Sequence, residues 1–568
     1  MEKLPRPEHP NPQFERKDWT NLNGTWDFEI DYGESGFDRK LYEAEGLSGK
    51  ILVPFCPESS LSGIGNTDFM PAVWYQRKIQ SDAKAGERTL LHFGAVDYEA
   101  SVFINAKPVG IHKGGYASFT LDISDYLQQG ENTLTVCAKD HTRCALQPRG
   151  KQSELYYSNG CDYTRTTGIW QTVWMETVPE AYIKAVKYYP DIENSAVTIQ
   201  AQVAGGGTLR IKASYQGKEM GAVQAESKGG LICVTLPLKE KHLWETGCGR
   251  LYDVELQYGQ DMVHSYFGLR QLRLDGMKFR INEKSVFQRL VLDQGFYPEG
   301  IYTAPSDEAL MKDIQLSLDV GFNGARLHQK VFEPRFLYHC DRMGYLVWGE
   351  HGNWGLDYSK PGALQAFLPE WMEVVERDFN HPAIIGWCPF NETTERLGQQ
   401  EHDSLLRTVY NLTKQADPTR PCIDTSGYVH VVTDIFDVHD YEQDPKIFRE
   451  SFESLISEHK LFDRMAEHQE YRGEPCFVSE YGGIQWNVDG REGWGYGIGP
   501  KTIEEFMERY RGLTDALLDN DQMFAFCYTQ LYDVEQELNG LYTYSRQPKF
   551  DCETLRKINS RKAKIEED

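Results

Sequence analysis

Long apolar runs are missing from this 568-residue chain, so it offers no segment that reads as a membrane-spanning helix. The opening stretch MEKLPRPEHPNPQFERKDW has no apolar centre, which speaks against a secretory signal. Cysteine is sparse. Its twelve residues lie without paired short spacing, so neither a zinc knuckle nor a disulfide framework is expected. Cys388, Cys476 and Cys527 fall inside apolar runs, where a reduced thiol acts as a small hydrophobe, and a cytoplasmic protein is the simplest expectation. Positive charge is also in deficit. A formal charge of −25 repels phosphate, which argues against nonspecific binding to nucleic acid or to an anionic membrane but says little about a neutral, diffusible substrate. The glycine-rich GGIQWNVDGREGWGYGIG lacks both a phosphate-loop lysine and a dinucleotide fingerprint, so it reads as a lip beside a site and no cofactor is expected.

What is present is organised in three parts, in keeping with a length that exceeds one ordinary domain. Residues 1–180 carry short alternating runs such as NGTWDFEI, RTLLHFGAV, EASVFINAKPVG and NTLTVCAKD, separated by Gly, Pro, Asn or Asp; they predict a β-sandwich. Residues 181–270 repeat the style in a smaller unit, with SAVTIQAQVAG, GTLRIKASY and DVELQYG, and predict an immunoglobulin-like sandwich. From 271 to 568 apolar runs alternate with helical stretches such as SDEALMKDIQLSLDVG and TIEEFMERYRGLTDALL. Eight strand candidates follow in order: Arg289–Asp293, Asn323–His328, Tyr345–Glu350, Ile384–Cys388, Pro421–Asp424, Ile435–His439, Pro475–Glu480 and Phe524–Tyr528. Eight β/α units predict a (β/α)8 TIM barrel, with an open doubly wound sheet as the structural competitor.

Two glutamates stand at the ends of such runs: Glu392 after AIIGWCPFN, and Glu480 in PCFVSEYG. The strand ends of a barrel converge on one face, where two carboxylates can share the cutting of a glycosidic bond. A surface or salt-bridged glutamate is the ordinary alternative for each.

With this layout the chain resembles glycoside hydrolase family 2, the family of β-galactosidases, β-glucuronidases and β-mannosidases. NLNGTWDF, VWYQRKI, LHFGAVDYEASVFINAKPVG and GIWQTVWME resemble its leading jelly roll. YFGLRQL resembles the exit from its central sandwich, and GFNGARLHQ, HPAIIGWCPFNE, FVSEYGG and DVEQELNGLYTYSRQPK its barrel. The resemblance implies a retaining mechanism with Glu392 as acid/base and Glu480 as nucleophile. It further implies that Asn391 bonds the hydroxyl beside the anomeric carbon, and that a His or Tyr pair, matched by His439 and Tyr441, meets sugar hydroxyls and the nucleophile.

Other candidates come from position. Arg326 ends the second strand, where it would keep Glu480 ionised, and His328 shares its side of the strand. Asp293 ends the first strand, as a subsite wall or a loop cap. Trp348, Trp387, Trp486, Trp494 and Tyr528 are candidate sugar platforms, against the bland reading of core aromatics, and Asp162 in CDYTR is a candidate contact from the first domain. Glu350 and His351 are the nearest approach to a metal pair, and no metal is expected.

The family's glucuronidases carry an Asn-x-Lys signature that grips the substrate carboxylate. Here Asn539 is followed by Gly540 and Leu541, with no lysine. The expectation is a retaining exo-β-glycosidase acting on a small carbohydrate or glycoside, which the resemblance biases toward the β-galactosidase type. A β-glucuronidase, an arabinosidase or galactofuranosidase, or a noncatalytic carbohydrate-binding protein are the alternatives, and a homo-oligomer is left open.

Overall fold

The computed structural model describes residues 4–393, 403–488 and 490–567. The first part is a jelly-roll sandwich. Its six-stranded sheet runs Gly49–Val53, Gly24–Ile30, Ala72–Ser81, Gly130–Lys139, Glu99–Ile104 and Lys107–Lys113, all antiparallel. A four-stranded sheet of Trp19–Asn21, Val173–Pro179, Glu87–Phe93 and Phe119–Asp122 faces it. Trp26, Tyr75, Val102 and Val136 from one sheet meet Leu91, Phe93 and Val173 from the other, as two inward faces of alternating strands must.

The second part is a smaller sandwich of three strands over four. In Gly207–Tyr215 the period of two is plain: Leu209, Ile211 and Ala213 are buried while Arg210 and Lys212 face water.

The third part is the TIM barrel. Parallel strands run in the order Ile384–Cys388, Leu346–Glu350, Gly324–Leu327, Gln288–Asp293, Met523–Thr529, Cys476–Gly482 and Phe436–Asp440. All seven residues of Met523–Thr529 are buried, because barrel strands are covered on both faces. Helices between them begin at capping side chains: Ser306 accepts from the Ala309 N–H, and Thr502 from that of Glu505. The helix predicted from EHDSLLRTVYNLTKQAD spans Asp403–Ala416, its residues 401 and 402 lying outside the described residues.

The fifth predicted strand, Pro421–Asp424, is the departure. Pro421 has no N–H to give a ladder. Its carbonyl accepts from Trp387 (3.0 Å), and Ile423 donates back to the Trp387 carbonyl (2.9 Å), which makes one isolated bridge. Two residues later Thr425–Ser426 pairs with Phe390–Asn391. The gap between fourth and sixth strands is thus closed by a bridge and a two-residue ladder, tied by Asp424. Its carboxylate takes the backbone N–H groups of Val431 (2.6 Å) and Val432 (3.0 Å) and the His430 ring (2.8 Å).

The jelly roll rests on the barrel. Glu370 of the helix Ala363–Asp378 accepts from the Tyr116 backbone N–H (2.6 Å), and Thr303 donates to the Trp170 carbonyl (2.6 Å). No helix among the described residues is long and apolar enough to cross a membrane.

Candidate active site

Glu480 and Glu392 meet at the barrel mouth. Val438 pairs with Val478 and His439 with Glu480, so Ser479 is an extra residue, a bulge in the strand Cys476–Gly482. The bulge turns successive residues inward: the Ser479 hydroxyl reaches that of Ser426 (3.3 Å), and Glu480 reaches Arg326. Glu392 follows the strand Phe390–Asn391 with a positive φ of 52°, an uncommon conformation for a residue with a Cβ. Its backbone N–H is held by the Ser426 carbonyl (3.0 Å). Oxygens of the two carboxylates and a ring nitrogen of His439 lie within 4.8 Å of one another. That proximity accords with a retaining pair, whose carboxyl groups stand about 5 Å apart.

Arg326 organises the floor. Its guanidinium gives one N–H to Glu350 (2.6 Å), one to Glu480 (3.2 Å) and one to the Asn391 side-chain oxygen (2.9 Å), with a further bond to the Ser479 carbonyl (2.9 Å). Asn391 is thereby oriented, and its side-chain nitrogen, buried, has no partner among the described residues. A donor left over in this position suits a sugar hydroxyl.

His439 bridges the pair, Nδ1 to Glu392 at 2.8 Å and Nε2 to Glu480 at 3.4 Å. Burial would lower its pKa, but the charge of Glu480 and the bond to Glu392 raise it above the ordinary value. Gly427, at φ +78°, lets the ring in: a Cβ there would stand 2.2 Å from it. Tyr441 donates to Glu480 (2.5 Å) and stacks on Tyr496 at 3.5 Å between centroids. Burial alone would raise the Glu480 pKa; the charge of His439 first, then Arg326 and the Tyr441 hydroxyl, lower it below the ordinary carboxylate value instead. His328 accompanies them as a neutral ring, since burial and nearby Lys151 push its own pKa well down. Glu392, His439 and Glu480 also have the spacing of a metal site.

Residues 63–179 match the description "Glycosyl hydrolases family 2, sugar binding domain" and residues 303–563 match "Glycosyl hydrolases family 2, TIM barrel domain". The chain belongs to glycoside hydrolase family 2. Among its relatives, the beta-glucuronidase of Felis catus is 26% identical over 464 residues, 72% of this chain and 68% of its own. That of Streptococcus agalactiae serotype V is 21% identical over 595 residues, 93% and 94%. The beta-glucuronidase of Ruminococcus gnavus superposes with a TM-score of 0.80 at 17% identity, over 99% of each chain. A GH2 beta-galacturonidase from Eisenbergiella tayi does so at 0.77 and 18%, over 98% of each. The chain is a glycoside hydrolase, and the family works with retention.

Within this family-2 barrel several predicted contacts point elsewhere. On the strand Gln288–Asp293, Gln288 faces the interior and bonds Trp348, while Arg289 faces out to the carbonyls of Asn559 and Arg561. Asp293 has the parity of Arg289. It accepts from the Gly295 N–H (2.9 Å) and the Tyr532 hydroxyl, the arrangement of a loop cap. Its pKa is raised to about 6, by burial first and then by Asp313. Trp348 faces in but too deep: it donates to Gln288 (3.0 Å), stacks near Phe477 and fills the space left by Gly386. Tyr528 packs outward on Tyr481 and Tyr510, and Trp387 donates outward to Asp417 (2.8 Å). Trp486 packs edge-on to Phe506 in the apolar cluster, away from the carboxylates.

Trp494 stands at the rim, edge-on to Tyr496 and donating to the Gly160 carbonyl (2.7 Å), on the glycine-rich stretch, of which Asp489 lies outside the described residues. Glu350 turns in to Arg326 and His328 (3.2 Å), whereas His351 turns out to Glu370 (3.2 Å), so the neighbours share no ligand. Asp162 gives its carboxylate to Arg149 (3.2 and 3.4 Å).

Three residues of the mouth were not anticipated. Trp354, half-buried, donates to the Asn391 carbonyl (3.3 Å) and stands edge-on to His328. Glu537, buried, receives the Tyr163 hydroxyl and the Asn539 amide (3.0 Å). Lys151 comes from the jelly roll. Its loop is held where the Arg149 N–H meets the Trp354 carbonyl (2.8 Å) and the Gly150 N–H that of Gly352 (3.0 Å). Gly150, at φ +58°, has no space for a Cβ, which would stand 2.4 Å from the Gln329 carbonyl oxygen.

Proposed function

We propose that the protein is a retaining exo-β-uronidase that releases a terminal β-glucuronosyl residue, or that of a close epimer, from a small glycoside. The observation that carries the reading is the run of β-glucuronidase relatives, one of which is aligned over nearly the whole of both chains. The leaning of the sequence toward a neutral galactoside came from the family resemblance, with the missing Asn-x-Lys lysine counted against a uronide, and a buried cation nearby weakens that objection.

In this reading Glu480, held ionised, attacks the anomeric carbon while Glu392 gives a proton to the departing oxygen. Glu392 then takes a proton from water, which attacks the glycosyl-enzyme and releases the sugar with its configuration kept. Arg326 and Tyr441 orient the nucleophile, His439 holds the pair together, and Asn391 meets the 2-hydroxyl as charge develops on the ring. The units carrying this are proposed as residues 1–180, 181–270 and 271–568.

The test is the initial rate on aryl β-glucuronide, β-galacturonide, β-glucoside, β-galactoside and α-arabinofuranoside, with Glu480→Gln as blank. Uronide turnover absent from the blank supports the reading. Turnover of the neutral glycosides in its place returns the protein to the galactosidase class.

A further inference from the structure

Lys151 is an unusual residue to find under a sugar site. Its side chain is 5% exposed. Among the described residues its ammonium meets one carboxylate, Glu537, at 4.0 Å, and the faces of Tyr163 and Trp354 at 5.5 and 5.4 Å. Four ångströms is an ion pair but exceeds hydrogen-bond length, and the Glu537 oxygens already receive Tyr163 and Asn539. A buried ammonium normally makes charge-assisted hydrogen bonds to offset its lost hydration. Here three donors are held at the mouth without an acceptor at bonding distance among the described residues.

The surroundings say which way the charge faces. Burial would lower the Lys151 pKa, but Glu537 first, and then Cys161, Glu480 and Glu392, raise it above the ordinary value, so the group is a cation that feels both candidate catalytic carboxylates. It also helps to keep His328 neutral. Trp354, against which the ammonium lies, touches Asn391 on its other edge. The cation is therefore beside the space that the reacting sugar must fill. The segment 535–541, where the sequence shows no lysine, supplies Glu537 and Asn539 to the same wall.

We infer that Lys151, reaching over from the jelly roll, binds the carboxylate of the sugar in this site and makes the enzyme selective for β-uronides. The inference rests on the uronide reading above. A uronate oxygen would take the donors that Glu537 does not reach, while Glu537 balances the charge of the empty pocket. A neutral hexose offers only a hydroxymethyl group there and leaves the ammonium unpaired. The first domain thus becomes part of the specificity pocket, positioned by the Gly150 turn against the barrel loop.

The experiment compares kcat/KM for 4-nitrophenyl β-glucuronide and β-galacturonide with the matching glucoside and galactoside in the full chain. Wild type, Lys151→Met and Lys151→Arg are measured, with circular dichroism to confirm folding. In wild type the better uronide is expected to exceed its neutral partner by about a thousandfold, because a pocket built around a charged partner rejects the analogue lacking it. Lys151→Met should cut that ratio by about a hundredfold or more, almost all of it on the uronide, and Lys151→Arg, which keeps the charge but moves it, by about tenfold. Uronide preference intact in folded Lys151→Met would overturn the assignment and leave the uronide reading standing. Should Lys151→Met fail to fold, an unchanged ratio in Lys151→Arg overturns it and a reduced ratio supports it. A wild type that prefers neutral hexosides would sink the uronide reading itself, and this assignment with it.

Discussion

Arg326 lies 3.2 Å from the Glu480 carboxylate and shares no more than one N–H with it. The rest of the fork is given to Glu350, Asn391 and a backbone carbonyl, so one planar group sets the positions of nucleophile and hydroxyl-binding amide together. A lysine is a point charge and cannot span these partners. Arg326→Lys is expected to lower kcat/KM by about a hundredfold or more, comparable to the loss of one preorganised donor. Glu480 has its pKa depressed to about 2 from 4.5, so in wild type it stays ionised as pH falls through 4.5 and loses its charge only near 2. In Arg326→Met the acid limb of kcat/KM should move up toward 4.5; an unmoved limb would mean that Arg326 does not set this ionisation.

Asn391 is tested through its unpaired side-chain nitrogen. Asn391→Ala should lower kcat by about a hundredfold on a normal glycoside and by much less on the 2-deoxy analogue, which has no hydroxyl to bind. Equal losses on both would assign Asn391 to packing alone.

Glu392→Gln removes the proton donor but keeps the shape. Glycosides with poor leaving groups should lose about a thousandfold in kcat/KM, and those with a dinitrophenol leaving group far less, because such a group departs without protonation. A leaving-group series with parallel losses would contradict the acid role.

The closure of the barrel makes a different prediction. His430, 3% exposed in its side chain, lies between Asp424 (2.8 Å) and Asp437 (3.3 Å). Burial would lower its pKa, yet Asp424 and then Asp437 hold it at about 9. A raised histidine stabilises the folded state fully below its unfolded value of 6.5, and that contribution is lost as pH rises through about 9. Glu or Gln in its place cannot bridge both aspartates: His430→Gln should lose about 3–5 kcal/mol at pH 6, since it leaves buried carboxylates unpaired. Thermal melts of wild type and variant from about pH 6 to about pH 10 should converge at the alkaline end. A constant gap would show that the imidazolium is not the tie.

Much of this was legible in the chain. Glu392, Glu480 and Arg326 are readable because barrel strands end at one face and residues there mark those ends, whereas the readings of Asn391, His439 and Tyr441 came with the family resemblance. What failed was parity. Asp293, Tyr528 and Trp387 stand at strand ends too, but their side chains fall on the helix-facing side, and a run apolar on both faces does not display which side is which. Trp348 has the right side and the wrong depth. The Ser479 bulge breaks the alternation that would otherwise have turned Glu480 away, and nothing in VSEYG announces it. The fifth strand was misjudged because the apolar content of PCID concealed the missing N–H of Pro421 and the short reach of the ladder. Lys151 could not be found by strand logic at all, for it comes to the mouth on a loop of another domain; the proximity of CDYTR was the single hint.

In this mechanism Glu480 forms the covalent bond to the sugar. The direct measurement is to incubate the protein with the 2-deoxy-2-fluoro analogue of its fastest aryl glycoside, which slows release more than attack, and to map the labelled peptide by mass spectrometry. One sugar per chain is expected, on Glu480, with loss of activity in step with labelling. A label on Glu392 or elsewhere, or no label together with an inverted first product, would contradict it.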